Sequence, residues 1–337
     1  MRKNIVMSAM VAGLALTSLA ACGSGTTSEQ ATAEADAATG EAVIEKLDPA
    51  LDAILAADAK VEKLADGFVF TEGPLWNDGR LWLSDLGGDT VYAVSLDGEK
   101  EVLIEKAGGY PNMPIGSFLG PNGMTLDKDG TVLLVQQGGR AISRVGADMK
   151  PVPFITTFDG KRLNSPNDLV FAPDGSLWFT DPPFGLPKAD EDPGKEQAFN
   201  GVYRYADGKV SAVVTDLGLP NGIAMSKDGK TLYVNNYGPD MKLMAYDIGA
   251  NGTVSNGRAL ITYTEDQGVG GPDGVKVDAA GNLWATGPGG VRILTPEGKV
   301  LGFIKMPAQT TNLAFGGEDG KTVFITASEA VYKLQTK

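Results

Sequence analysis

The stretch SPNDLVFAPDGSLWFTD, residues 165–181, decides the fold. It holds a Pro-Asn-Asp triplet, an apolar alternation, a hairpin signal at Asp174-Gly175, and a β-rich run that ends on Asp181. Alone it reads as a tight pair of strands. The phrase recurs as FTEGPLWNDGRLWLSD from Phe70, GPNGMTLDKDGTVLLVQ from Gly120, LPNGIAMSKDGKTLYVN from Leu219, GPDGVKVDAAGNLWATG from Gly271 and TTNLAFGGEDGKTVFIT from Thr310. The six copies set Glu72, Asn122, Asn167, Asn221, Asp273 and Asn312 at intervals of 50, 45, 54, 52 and 39 residues. Periods of about 40–50 residues with several strands in each are the signature of propeller blades.

Each copy continues with a third strand, such as residues 90–95 or 202–205, then a second turn such as Asp97-Gly98 or Asp207-Gly208, then an outer strand. The last copy stops after its third strand, at residues 330–334, while an unpartnered strand-like segment, residues 60–64, precedes the first. Pairing the two seals the ring and removes an exposed edge. The expected fold is therefore all-β: a six-bladed propeller over residues 59–337, four antiparallel strands per blade, closed by an N-terminal strand in the last blade. Trp82, Trp178 and Trp284 share one strand position and are expected to pack between blades.

The segments ahead of the propeller differ in kind. Met1-Arg2-Lys3 is basic, residues 5–19 are largely apolar, and LAAC ends on Cys22, the sole cysteine; this stretch resembles a bacterial lipobox. Residues 1–22 are read as a lipoprotein-type signal with Cys22 as the lipidation site, against the plainer reading of a secreted protein whose cysteine is removed. Export to the cell envelope follows, periplasm-facing and membrane-bound only through the lipid. Residues 23–42, rich in Ser, Thr, Ala, Glu and Gly, read as a flexible tether. Residues 43–58 read as a short helical lead-in, with Asp48 as N-cap, Pro49 at the first helical position and Leu51, Ile54 and Leu55 as its apolar stripe.

Innermost strands line the axis of a propeller, and their starts converge on one mouth. All six residues placed there carry oxygen: two carboxylates, Glu72 and Asp273, and four amides. Any single Pro-Asn-Gly is also an ordinary turn. The set as a whole suits a hard cation such as Ca²⁺, which takes mixed carboxylate, amide and water oxygens; Mn²⁺, Mg²⁺ and Zn²⁺ are the other divalent choices. Glu72 stands one place closer to its hairpin glycine than Asn122 does, so the first hairpin is one residue shorter or its Glu points elsewhere. With no histidine in the chain and only one cysteine, a His-rich zinc site, a Ser-His-Asp triad and a histidine base are excluded. The formal charge of −13 disfavours nucleic acid and anionic membrane surfaces as partners.

FTEGPLW, SPNDLVF with WFTDPPFG, LPNG and GPDGVKVD together resemble the senescence marker protein/gluconolactonase family of six-bladed sugar lactone lactonases, over residues from about 43 to 337. The resemblance implies a divalent site on Glu72, Asn167, Asn221 and Asp273, with Asn122 near the substrate and Asn312 structural. It implies a small-molecule lactone as substrate, with the metal polarising the carbonyl and Asp273 activating water. This chain departs from many members at Gln136-Gln137-Gly138-Gly139-Arg140, where they carry Glu-His-Gly. Asp168 or Asp181 could share the work of the base, or cap a turn and a strand; Arg140 could hold a substrate hydroxyl or carboxylate, or merely be solvated; Asp181 joins Asn122 and Arg140 as a candidate substrate-binding residue. Residues 186–199 read as a lid or as a mobile surface loop. Two other functions stay open on sequence alone: a periplasmic binding propeller with a structural cation, and a phosphotriesterase or aromatic lactonase using the same metal site. Oligomeric state is not legible.

Overall fold

Asp78 and Gly79 both adopt left-handed backbone conformations, φ 51° and 72°, and turn the chain in two residues so that Asn77 pairs with Arg80. This is the tightest of the inner hairpins. In the second blade the corresponding turn runs from Asp127 to Thr131, whose backbones bond across three intervening residues. The short count between Glu72 and its hairpin glycine is therefore a shorter turn, and Glu72 keeps the position of its counterparts.

The computed structural model describes residues 40–337, and the signal and Cys22 lie outside the described residues, as does most of the tether. Six antiparallel sheets make the six blades. The innermost strands are Thr71–Asn77, Pro121–Leu126, Leu169–Phe171, Pro220–Met225, Val275–Val277 and Thr310–Gly316. Closure is as the sequence implies: Val61–Asp66 pairs with Ala330–Gln335, Val61 opposite Leu334 and Asp66 opposite Ala330, which supplies the fourth strand of the last blade.

One expectation needs correction. Residues 43–58 are not helical throughout: Val43–Lys46 is a strand that pairs with Val300–Lys305 and gives the fifth blade a fifth strand. Only Pro49–Ala53 is helical, as one 3-10 turn, with the Asp48 carboxylate accepting from the Ala50 N–H at 2.9 Å as an N-cap should. The Pro-Asn-Gly segments open innermost strands, as placed from the sequence, and the alternative of a plain turn falls away. Pro121–Leu126 and Pro220–Met225 are strands, bulged between Pro121 and Met124 and between Pro220 and Ile223.

Six apolar clusters fill the six junctions between neighbouring blades. Trp82 packs with Met124, Val132 and Leu134 of the second blade. Trp178 packs with Ile223, Leu232 and Val234 of the fourth, and Trp284 with Leu313, Val323 and Ile325 of the sixth. The ring closes through Leu81 and Leu83 of the first blade against Phe324 and Val331 of the last. Because Trp284 is completely buried at a junction, Trp284→Ala should cost about 3–5 kcal/mol of unfolding free energy, read from the urea midpoint with an unchanged m-value.

Candidate metal and active site

A hydrogen-bonded ring fixes the mouth of the axis. The next-to-last residue of the second strand in most blades reaches across to the backbone of the following blade. Ser84 Oγ donates to the Asn122 carbonyl (2.7 Å), Thr180 Oγ1 to the Asn221 carbonyl (2.6 Å) and Asn235 Nδ2 to the Asp273 carbonyl (2.9 Å). Thr286 Oγ1 donates to the Thr311 carbonyl (3.2 Å), and Thr311 Oγ1 closes the circle on the Thr71 carbonyl (2.8 Å). Between the second and third blades the link is main chain alone, Gly123 N–H to the Asn167 carbonyl at 3.0 Å.

Glycine follows four of the six mouth residues because blade backbones touch there. A Cβ on Gly73, which also has φ +50°, would lie 2.0 Å from the Asn122 carbonyl oxygen, and one on Gly222 would lie 2.1 Å from that of Asp273. Such contacts are impossible for any side chain. The same closeness brings the six side chains together, all nearly inaccessible to solvent.

Their oxygens are short of donors. Asn122 Oδ1, Asn221 Oδ1 and Asp273 Oδ1 are buried without a hydrogen-bond partner. Buried acceptors normally have one. Glu72 Oε2 accepts from the Gly73 N–H (3.0 Å) and from Asn312 Nδ2 (3.4 Å), which gives Asn312 a supporting role beside the carboxylate. Burial pushes the Glu72 carboxyl up to about 7, Asp168 adds to the rise, and Lys276 opposes it. Asp273 is raised well above the usual carboxylate range, first by burial and then by Glu72 and Asp168. Two buried carboxyls, with Glu72 adding to the rise of Asp273, beside amide oxygens without donors, form a site that a hard cation would relieve. Among the described residues no three His, Cys, Asp or Glu side chains gather as a metal cluster, so any ion here must draw on amide oxygens as well as on Glu72 and Asp273.

The remaining candidates stand behind this layer. Asp168 is ion-paired to Lys276 at 2.9 Å and is buried. Asp181, with no exposed surface, accepts from the Asn164 N–H at 2.7 Å, while its Oδ1 has no partner. Its counterparts do similar work: Asp85 accepts from the N–H groups of Val69 and Phe70, and Asn236 from that of Leu219. Asp181 thus staples the loop that delivers Asn167. Arg140 is not solvated. Its Nε donates to the Leu163 carbonyl (2.7 Å) and its Nη1 to the Gly194 carbonyl (2.8 Å), so its fork ties down residues 186–199. That segment is further held by Gln197 Nε2, which donates to the carbonyls of Phe158, Lys161 and Arg162.

Two residues gain importance from the structure. Burial raises the Tyr237 hydroxyl and nearby Asp273 adds to the rise, and the Tyr237 ring meets Phe184 edge-on at 6.0 Å. Gln137, in the segment where this chain departs from the Glu-His-Gly pattern, is buried with Oε1 unpartnered. The ring of Ser84, Thr180, Asn235 and Thr286 was also open to sequence reasoning, as a hydroxyl or amide repeated at one position of LWLSD, LWFTD, LYVNN and LWATG.

Residues 70–329 match the family model described as the SMP-30/gluconolactonase/LRE-like region. The chain belongs to that family. It is 36% identical to the gluconolactonase of Zymomonas mobilis over 306 residues, 87% of this chain and 86% of the relative. It is 26% identical to the pentonolactonase XacC of Haloferax volcanii over 76% of this chain and 81% of that one. Among solved structures, a gluconolactonase from Xanthomonas campestris superposes with a TM-score of 0.77 at 32% identity, over 88% of this chain and 98% of that one.

Burial pushes the Asp181 carboxyl up to about 7 against the opposing pull of the Asn164 and Ser165 N–H groups, Arg140 and Lys195. The folded state therefore binds its proton below about pH 7, whereas the unfolded chain does so only below about 3.9. Between those values folding takes up a proton, and stability rises as pH falls, by at most about 1.4 kcal/mol per pH unit from this group. Asp181→Asn keeps the acceptor and loses the proton, so the chelator-treated variant should show a flatter stability profile than wild type between pH 7 and 5, measured by urea unfolding.

Proposed function

We propose that the protein opens a sugar (aldono) lactone such as gluconolactone with water, at the axial mouth and with a divalent cation, Ca²⁺ as first choice. The observation that carries the reading is the set of buried oxygens without donors, Asn122 Oδ1, Asn221 Oδ1 and Asp273 Oδ1, beside two carboxyls raised by burial. The names of relatives that align over most of this chain, gluconolactonase and pentonolactonase, support the substrate class.

In this reading Glu72, Asn167, Asn221 and Asp273 hold the cation. Bound there, it would polarise the ring carbonyl and offset charge on the tetrahedral oxygen. Asp273 orients the attacking water and takes its proton. The ring C–O bond then breaks, and the proton passes to the departing ring oxygen to give the free hydroxy acid. Asn122 contacts the substrate through its unpartnered Oδ1, which can accept from a sugar hydroxyl. Arg140 and Asp181 act one step back: the first holds residues 186–199 as a wall, and the second holds the loop that presents Asn167. Phe184 and Tyr237 form an apolar side of the mouth next to Asp273.

The test is acid release from a panel of aldono- and aromatic lactones and an organophosphate ester, with chelator and then with Ca²⁺, Mn²⁺, Mg²⁺ or Zn²⁺ restored. Metal-restored turnover of an aldonolactone is expected, and Asp273→Asn should lower kcat by about 100-fold or more. Full activity in that variant would remove Asp273 as the base, and no lactone turnover by metal-loaded protein would favour a binding role. The same proposal places the protein in the bacterial cell envelope, facing the periplasm and anchored through Cys22, on the strength of LAAC at residues 19–22. Cells fed a labelled fatty acid should label wild type and leave Cys22→Ala unlabelled.

A further inference from the structure

The six innermost strands, all within the described residues, carry a single cation, Lys276. It stands three residues past Asp273 on the fifth blade, and its Nζ lies 2.9 Å from Asp168 Oδ2, which belongs to the third blade one residue past Asn167. The two residues are 108 apart in the chain. The Asp168 side chain is 3% exposed and that of Lys276 25%, so the pair is shielded from solvent on the acid side. Asp168 also accepts from the Leu169 N–H at 2.9 Å and, at 3.4 Å, from the Ile223 N–H. An acid with two main-chain donors does not need a lysine brought from two blades away merely to be satisfied.

The pair belongs electrostatically to the mouth. Asp168 directly follows Asn167, its Oδ2 reaches the Ile223 N–H two residues past Asn221, and a Cβ on Gly123, next to Asn122, would lie 3.0 Å from its Oδ1, so the carboxylate that holds Lys276 sits among the backbones of three mouth strands. With Glu72, Asp168 and Asp273 all ionised, as a bound cation requires, three carboxylates against one ammonium leave the cluster with a formal charge of −2. In a buried place, charge count controls which ion is accepted, since each added ionic charge feels the full local field.

We propose that Lys276 sets the charge of this centre, so that one divalent cation neutralises it and a trivalent cation of similar size over-charges it. Lys276 is thus a selectivity residue that acts on the ion through Asp168 and through space, without ligating it. The inference rests on the mouth being a divalent-cation site, and the experiment separates the two ideas.

Full-length protein stripped with chelator would be titrated calorimetrically with Ca²⁺ and with Tb³⁺, as wild type, Lys276→Met, Lys276→Arg and the double variant Asp168→Asn/Lys276→Met. The Lys276→Met change leaves a charge of −3 and should raise the Tb³⁺-to-Ca²⁺ affinity ratio by about tenfold or more. Lys276→Arg should keep the ratio within about twofold, and the double variant, back at −2, should return to it. A Lys276→Met protein that binds both ions at the wild-type ratio overturns the proposal. If Lys276→Met does not fold, Asp168→Asn reads the same effect with opposite sign: the ratio should fall, and an unchanged ratio overturns the proposal. Wild type that binds neither ion would remove the metal site itself, and this inference with it.

Discussion

Closeness at the axis is the constraint from which the rest follows. Six innermost strands can converge only where main chains touch, as they do at Gly73 against Asn122 and at Gly222 against Asp273. At that separation the residue before each glycine has nowhere to go but the mouth. The same crowding strips water from its oxygens, raises Glu72 and Asp273 and leaves three acceptors without donors. Stability and the polarity of the centre therefore share one cause: the apolar junctions that hold the blades together also compress the mouth until its oxygens are left without partners.

Much of this was legible in the sequence because repetition amplifies weak signals. One Asp-Gly between alternating runs identifies a hairpin; five of them and an Ala-Gly in the same place, with a leftover strand at one end and a missing strand at the other, identify a closed ring. Exclusion helped as well, since the lack of histidine leaves oxygen chemistry as the main option. Glu72 was the instructive case: its odd spacing belonged to the turn at Asp78-Gly79 and not to the site.

What escaped depended on tertiary context. Val43–Lys46 pairs on the outside of a blade, half its residues exposed, and so shows no clean alternation that would separate it from the turn that follows. Pro-Asn-Gly reads locally as a turn, and only the backbone contact across blades holds it extended at a bulge. Arg140 looked like a surface cation until the carbonyls of Leu163 and Gly194, distant in sequence, were found to occupy its fork. The meeting of Asp168 with Lys276 could not be read from one chain, because nothing in the stretch between them, which sets them 108 positions apart, couples them.

The glycines at the mouth have a further consequence, for the chemical lifetime of the protein. In a flexible loop, an Asn-Gly pair is prone to ageing: the glycine nitrogen attacks the asparagine side chain, closes a succinimide, and hydrolysis leaves an extra carboxylate. Asn122-Gly123 and Asn221-Gly222 have that sequence, in the very place where an added charge would be most disruptive. Here the Gly123 nitrogen is committed to the Asn167 carbonyl at 3.0 Å and the Gly222 nitrogen to the Asp273 carbonyl at 2.9 Å. The backbone bonds that draw the blades together thus also withhold the nucleophile, and the amides are protected from slow deamidation for as long as the ring stays closed.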